Sequence, residues 1–279
     1  MDGYFLESVM KILVNPLIFK DKMDEVRKAC SDLEIEIVEY DKNANIEIMR
    51  GNRVDLNDEY IEEVFGPINM VSSIQTLFKN DSNVYYSFGR EVHQYNRIQA
   101  LFGGHLLNTD GVLVFGQNLA DEVAPGDNKF VKPNHCLKVV EAFAATDSTA
   151  EEQLNTIAKC HSESLFWVFD AAEIKNEWRF FIDTLDREII DGCSYRIDGE
   201  INGSLKPSVD VVEYVRRMLI DTMLSNCDRV LCVDICETSD GKFSVVEANA
   251  FSTSGWYEAH DASTVFGYLK REVWVSDDE

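Results

Sequence analysis

At 279 residues the chain exceeds the usual single-domain size, so two or three subdomains are expected; 45% hydrophobic and 27% charged residues suit a globular protein with a real core. A formal net charge of −24 and the lack of any long Lys/Arg run argue against direct nucleic-acid binding, because such binders neutralise phosphates with basic clusters. Seven scattered cysteines, no charged-then-apolar leader and no apolar run near the ~18 residues of a membrane span make a cytoplasm with reduced thiols the expected location.

"KILVNPLIF" reads as a buried strand, and "DKMDEVRKACSDL" sets Met23, Val26, Ala29 and Leu33 close to helical spacing. "EIEIVEY" alternates as a strand. Strand, helix and strand in succession predict a parallel unit opening an α/β domain, with no GxGxxG to mark a dinucleotide site. "DEYIEEVFG" and "YNRIQALFG" read as helices closed by glycine. "NVYYSF", "GVLVFGQ" and "NKFVKP" read as strands, and "LKVVEAFAA" and "TAEEQLNTIAKC" as helices. From Leu165 the chain turns β-rich: "LFWVF", "EWRFFIDT" and "REIIDG", then the helix "VDVVEYVRRMLIDTML" and the hairpin "VLCVDICETSDGKFSVVEANAF".

Asp240-Gly241 is a two-residue turn signal. If these two residues form the loop, Ser239 faces Lys242 and Glu247 stands opposite Asp234, with Asn249 on the same face. Like charges across a ladder are destabilising, and a divalent cation would offset them. Two carboxylates and an amide suit Mg²⁺ or Mn²⁺. The other reading is that the acids point into water from an open face, against which the apolar neighbours of Glu247 speak. Cys232 and Cys236 share the face of Asp234, but four residues of strand separate them by about 13 Å, too far for one zinc, so they read as packing thiols. His105, His135, His161 and His260 show no ligand spacing and read as structural or exposed.

An acid-bearing strand, a turn and "EANAFSTSG" resemble the metal-binding end of ATP-grasp ligases, and further matches follow the family's order along the chain. "FVKP" looks like the strand whose lysine, here Lys132, reaches the nucleotide phosphates. "LFWVF" looks like the strand lining the adenine, which implies base reading by backbone groups of Phe166, Trp167 and Val168, with Asp170 or Glu173 at the ribose. "EIKNEWRFFI" looks like the acid-x-Arg strand, with Glu177 in the ATP site and Arg179 facing the transferred phosphoryl group. "EWRFF" with "LLNTD" upstream is most similar to compact RimK-like proteins often encoded by phages, which would place the protein in a host cytoplasm. No glycine-rich loop follows Lys132; Lys138 is the candidate for a second phosphate lysine. Read without the family, Lys132 is a strand-end lysine, Arg179 pairs with Glu177, and Trp167 is core.

The resemblance implies an α/β (α+β) ATP-grasp fold: a pre-ATP-grasp domain over 1–104, an N-terminal subdomain over 105–168 and a C-terminal subdomain with the metal site over 169–279. It implies ATP-dependent carboxylate–amine ligation through an acyl phosphate, with ATP and Mg²⁺ (or Mn²⁺). Asp234, Glu247 and Asn249 would hold the metal, Lys132 and Arg179 would serve catalysis, and Ser252, Ser254 and Gly255 would meet a small-molecule or peptide substrate. A phosphotransferase or tailoring enzyme acting on a modified nucleotide, and a non-catalytic nucleotide-binding protein, are the alternatives.

Overall fold

The computed structural model describes residues 10–40, 61–77, 94–134, 140–224 and 227–274. β1 (Met10–Val14), the helix Met23–Asp32 and β2 (Ile35–Glu39) form the expected parallel unit. β1 also pairs in parallel with β3 (Glu63–Phe65), giving the order β2-β1-β3. Thus "DEYIEEVFG" carries a strand where a helix was expected. Glu63, Val64 and Phe65 are all buried beside β1, and that packing overrides the local helical pattern. β1 stops at Val14, short of the expected Phe19. Pro16 cannot donate to a ladder, and Asn15 turns the chain by accepting the Leu17 N–H at 3.0 Å.

A second sheet holds β4 (Val112–Phe115), β5 (Lys129–Pro133), β6 (Phe143–Ala144) and β7 (Leu165–Asp170) in the order β4-β7-β5-β6, all antiparallel. The helix Ala150–Cys160 closes one face over Val131, Phe166 and Val168. "LKVVEAFAA" was expected to be helical. Instead Phe143 and Ala144 extend β5's edge, with Phe143 buried beside Val131. The expected strand "NVYYSF" lies outside the described residues.

The third sheet is the largest: β8 (Ile174–Asp183), β9 (Glu188–Ile197), β10 (Glu200–Ile201), β11 (Val230–Thr238) and β12 (Phe243–Ala250), in the order β10-β9-β8-β11-β12. Strand alternation divides its side chains between two faces. Phe180, Ile182, Leu231 and Val233 pack against the helices Tyr95–Phe102 and Val209–Asp221. On the opposite face Phe181 and Cys232 join a core with Phe19, Phe65 and Phe266 of the helix Ala262–Tyr268. The N-terminal unit and this sheet therefore share one core. Beyond that covered end the same face turns charged, and the candidate site begins there. Among the described residues no helix is long and apolar enough to cross a membrane.

Candidate functional site

Asp234 does stand opposite Glu247, as expected, but two irregularities produce the pairing. The loop has three residues, because Thr238 N–H donates to Lys242 O at 2.9 Å and Gly241 N–H to Thr238 O at 2.8 Å, with Gly241 at φ +79°. That loop shifts the register by one residue relative to an Asp240-Gly241 turn. Glu237, Cys236 and Ile235 accordingly face Phe243, Ser244 and Val245. A bulge at Val246 then restores the offset, and Asp234–Glu247, Val233–Ala248 and Cys232–Asn249 pair as the shorter loop would have placed them.

The protein's own cations meet the two acids. Arg179 faces Asp234 across β8 and β11, donating from Nε to Oδ1 at 2.8 Å and from Nη2 to Oδ2 at 2.7 Å. Both side chains are buried, which makes this a strong, directional, charge-assisted pair. Burial opposes charge on Arg179, but the adjacent Asp234 outweighs it and holds the guanidinium well above its ordinary pKa. Lys132 reaches from β5 of the second sheet to Glu247 Oε2 at 3.1 Å, and its Nζ lies 5.4 Å from the centre of the Tyr95 ring. Asn249 Nδ2 donates to Glu247 Oε1 at 2.9 Å. Arg179 and Lys132 thus offset part of the like charge across the hairpin. Arg179 pairs with Asp234, not with Glu177.

A cavity of about 520 Å³ opens between the second and third sheets. Lys132, Glu177, Asp234, Glu247 and Asn249 line it, so five of the expected site residues converge there. Burial, then the charges of Asp234 and Glu247, push the Glu177 carboxyl above its ordinary pKa. Arg179 is not among the lining residues. Its Nη1 donates to Gly255 O at 3.2 Å, and its guanidinium lies 5.5 Å and 5.3 Å from the rings of Tyr195 and Tyr257. Its hydrogen bonds thus run to Asp234 and Gly255, on the side of the strand that faces the two tyrosines.

Other expected residues lie apart. β7 is flanked by β4 and β5, so the backbone of Phe166, Trp167 and Val168 is engaged in ladders on both sides. Phe166 and Val168 point into the core, while Trp167 stacks on Phe169 and donates to Asn134 Oδ1 at 3.2 Å. Asp170 is exposed and pairs with Lys129 at 2.7 Å, and Glu173 is exposed after the strand. Ser252 and Ser254 are buried, and Ser254 Oγ donates to Ala250 O at 2.7 Å, closing the turn. His135 and Lys138 lie outside the described residues.

Tyr195 and Arg196 also line the cavity and were missed. "REIIDG" read as a short strand, but β9 runs on to Ile197. Gly192, inside the strand, is a close-approach position, where an added Cβ would sit 2.6 Å from Phe180 Cδ1. Continuing the alternation past it would have found both residues.

Cys232 and Cys236 are fully buried, and burial pushes both thiols up to about 12, so they remain neutral packing groups as expected. His260 is buried in a polar chain: Nδ1 lies 3.1 Å from Asp191 Oδ2 and Nε2 lies 3.1 Å from Cys193 Sγ. Among the described residues no group of three or more His, Cys, Asp or Glu is arranged to hold a metal ion. A metal here would rest on two carboxylates and the Asn249 amide, all hard oxygen donors of the type Mg²⁺ takes.

Residues 117–265, more than half of the chain, match an ATP-grasp domain model, the second family of its clade. The chain belongs to this ATP-grasp family. No curated protein matches it in sequence. Among solved structures, this ATP-grasp protein is similar to D-alanine–D-alanine ligase from Bacillus anthracis complexed with ATP (14% identity, 94% of this chain and 95% of that one, TM-score 0.61). It is also similar to the D-cycloserine synthetase DcsG (12% identity, 94% and 99%, TM-score 0.58). A third is the macrocyclase MdnC bound with precursor peptide MdnA from Microcystis aeruginosa (10% identity, 94% and 99%, TM-score 0.55). At these identities the likeness is one of fold, and it extends over almost the whole chain.

Proposed function

We propose that this ATP-grasp protein is an ATP-dependent carboxylate–amine ligase of the RimK-like kind, acting in a cytoplasm through an acyl phosphate. One observation carries the reading: in a chain of this family, a single cavity joins Lys132 of one sheet to Asp234, Glu247 and Asn249 of another. A magnesium–nucleotide complex carries both signs of charge, and the cavity offers a cation on one wall and oxygen ligands on the other. Asp234, Glu247 and Asn249 would hold Mg²⁺ or Mn²⁺, which supplies positive charge to the β- and γ-phosphates when bound. Lys132 would neutralise phosphate, and its approach to Glu247 keeps it aimed at the metal side. Arg179 would act one step back, fixing the Asp234 carboxylate so that the ligand face is ordered before nucleotide arrives. Apolar walls from buried Ile98 and half-buried Phe130 would limit water around the reacting groups.

The neighbours named above act on small molecules or on a peptide, and the same classes are proposed here: a carboxylate that accepts the phosphoryl group and an amine that displaces it. The test is incubation with ATP, Mg²⁺ and a panel of amino acids and peptides, with hydroxylamine as the amine. Equal formation of ADP and a hydroxamate supports ligation. A phosphorylated acceptor with no hydroxamate would replace the ligase reading with a phosphotransferase.

A further inference from the structure

Among the described residues two cations line the cavity, and they differ in how firmly they are held. Lys132 lies on Glu247 at 3.1 Å. Arg196, from β9, has its nearest acid, Glu177, at 3.7 Å from Nε, beyond hydrogen-bond reach. That Nε is shielded from solvent and has no hydrogen-bond partner among the described residues. The side chain as a whole is 41% exposed. The backbone of Arg196 is fixed, because it pairs across β8 and β9 with Glu177, whose side chain lines the same wall. Arg179 has the opposite character, buried and fully engaged. The cavity therefore holds an anchored lysine and a positioned arginine with unused donors.

We propose that Arg196 is the cation this cavity reserves for a phosphate of the bound nucleotide, an assignment that rests on the nucleotide-binding reading above. A guanidinium presents paired N–H donors in a plane that matches phosphate oxygens, which an ammonium does not. Glu177 acts as its placeholder: close enough to orient the guanidinium, too far to satisfy it. The 3.7 Å separation makes the pair a loose one.

Calorimetric titration of Mg²⁺ with ATP, with ADP and with adenosine, on the wild type, Arg196→Met and Arg196→Lys, tests this. Losing a charge-assisted contact to phosphate weakens ATP and ADP by roughly tenfold or more in Arg196→Met, leaves adenosine unchanged, and is partly reversed in Arg196→Lys. Equal weakening of all three ligands, or no weakening of any, overturns the assignment. A wild type that binds none of the three removes the nucleotide reading and this assignment with it, whereas a wild type that binds ATP while Arg196→Met binds it equally well refutes Arg196 alone.

Discussion

Arg179→Met separates the structural role of the Arg179–Asp234 pair from a direct catalytic one. The substitution keeps a long unbranched side chain between Tyr195 and Tyr257 but removes two short N–H···O bonds, at 2.8 and 2.7 Å, from a carboxylate that is 4% exposed. Asp234 is then left opposite Glu247 without either of its two guanidinium hydrogen bonds. Breaking one member of a buried pair costs about 3–5 kcal/mol. Asp234 borders the cavity and can draw in water, so the lower end, about 3 kcal/mol, is expected. Urea unfolding followed by circular dichroism reads the loss. Arg179→Met combined with Asp234→Leu should cost much less than the sum of the two single changes, because no buried charge is stranded. Millimolar Mg²⁺ should raise the unfolding midpoint of Arg179→Met more than that of the wild type, since an ion can take the place of the guanidinium. A loss below about 1 kcal/mol, the value of an exposed pair, or additivity of the two changes, would refute this account of the pair.

Gly192→Ala forces a methyl group against the buried Phe180 ring and Pro207, and should destabilise by about 1–3 kcal/mol in the same urea assay; an unchanged midpoint would mean that β9 does not approach β8 so closely. Stability should fall in two steps as the pH drops. Burial depresses the His260 pKa, so the unfolded chain takes up a proton below the ordinary 6.5 while the folded chain resists, and stability falls as pH drops through that region. Asp191 adds a later loss below the ordinary 3.8: burial pushes its carboxyl up, but hydrogen bonds from His260, Lys206 and the Asp261 N–H outweigh burial and hold it down. His260→Gln should flatten the slope of stability between about pH 5 and 6.5, and an unchanged slope there would show that His260 titrates normally in the fold.

The hairpin was the most legible part of the site, yet its correct pairing came through a wrong turn. A three-residue loop and a bulge at Val246 each move the register by one residue, and their effects cancel. Nothing in "SVVEANA" marks that bulge. The parallel opening unit and the long strands β8 and β11 were readable because alternation and branched residues agreed with their packing. β3 was not, since "EEVF" is helical by local pattern and becomes a strand only when β1 supplies a partner. The order of motifs placed Lys132, Asp234, Glu247 and Asn249 at one cavity, but sequence could not tell which way a buried arginine would turn. Arg179 turned to Asp234 rather than to the cavity, because the carboxylate across the ladder is the nearest group that can offset its desolvation.

Binding of Mg-ATP to the wild type and to Glu247→Gln, measured by calorimetry, most directly tests the claim that the Lys132, Asp234, Glu247 and Asn249 cavity is a metal–nucleotide site. The substitution removes one charge at nearly constant volume and leaves the Arg179–Asp234 pair in place. The account predicts magnesium-dependent binding by the wild type that the variant loses or strongly weakens. Wild-type protein that ignores ATP at millimolar concentration, or a variant that binds it as tightly, would contradict it.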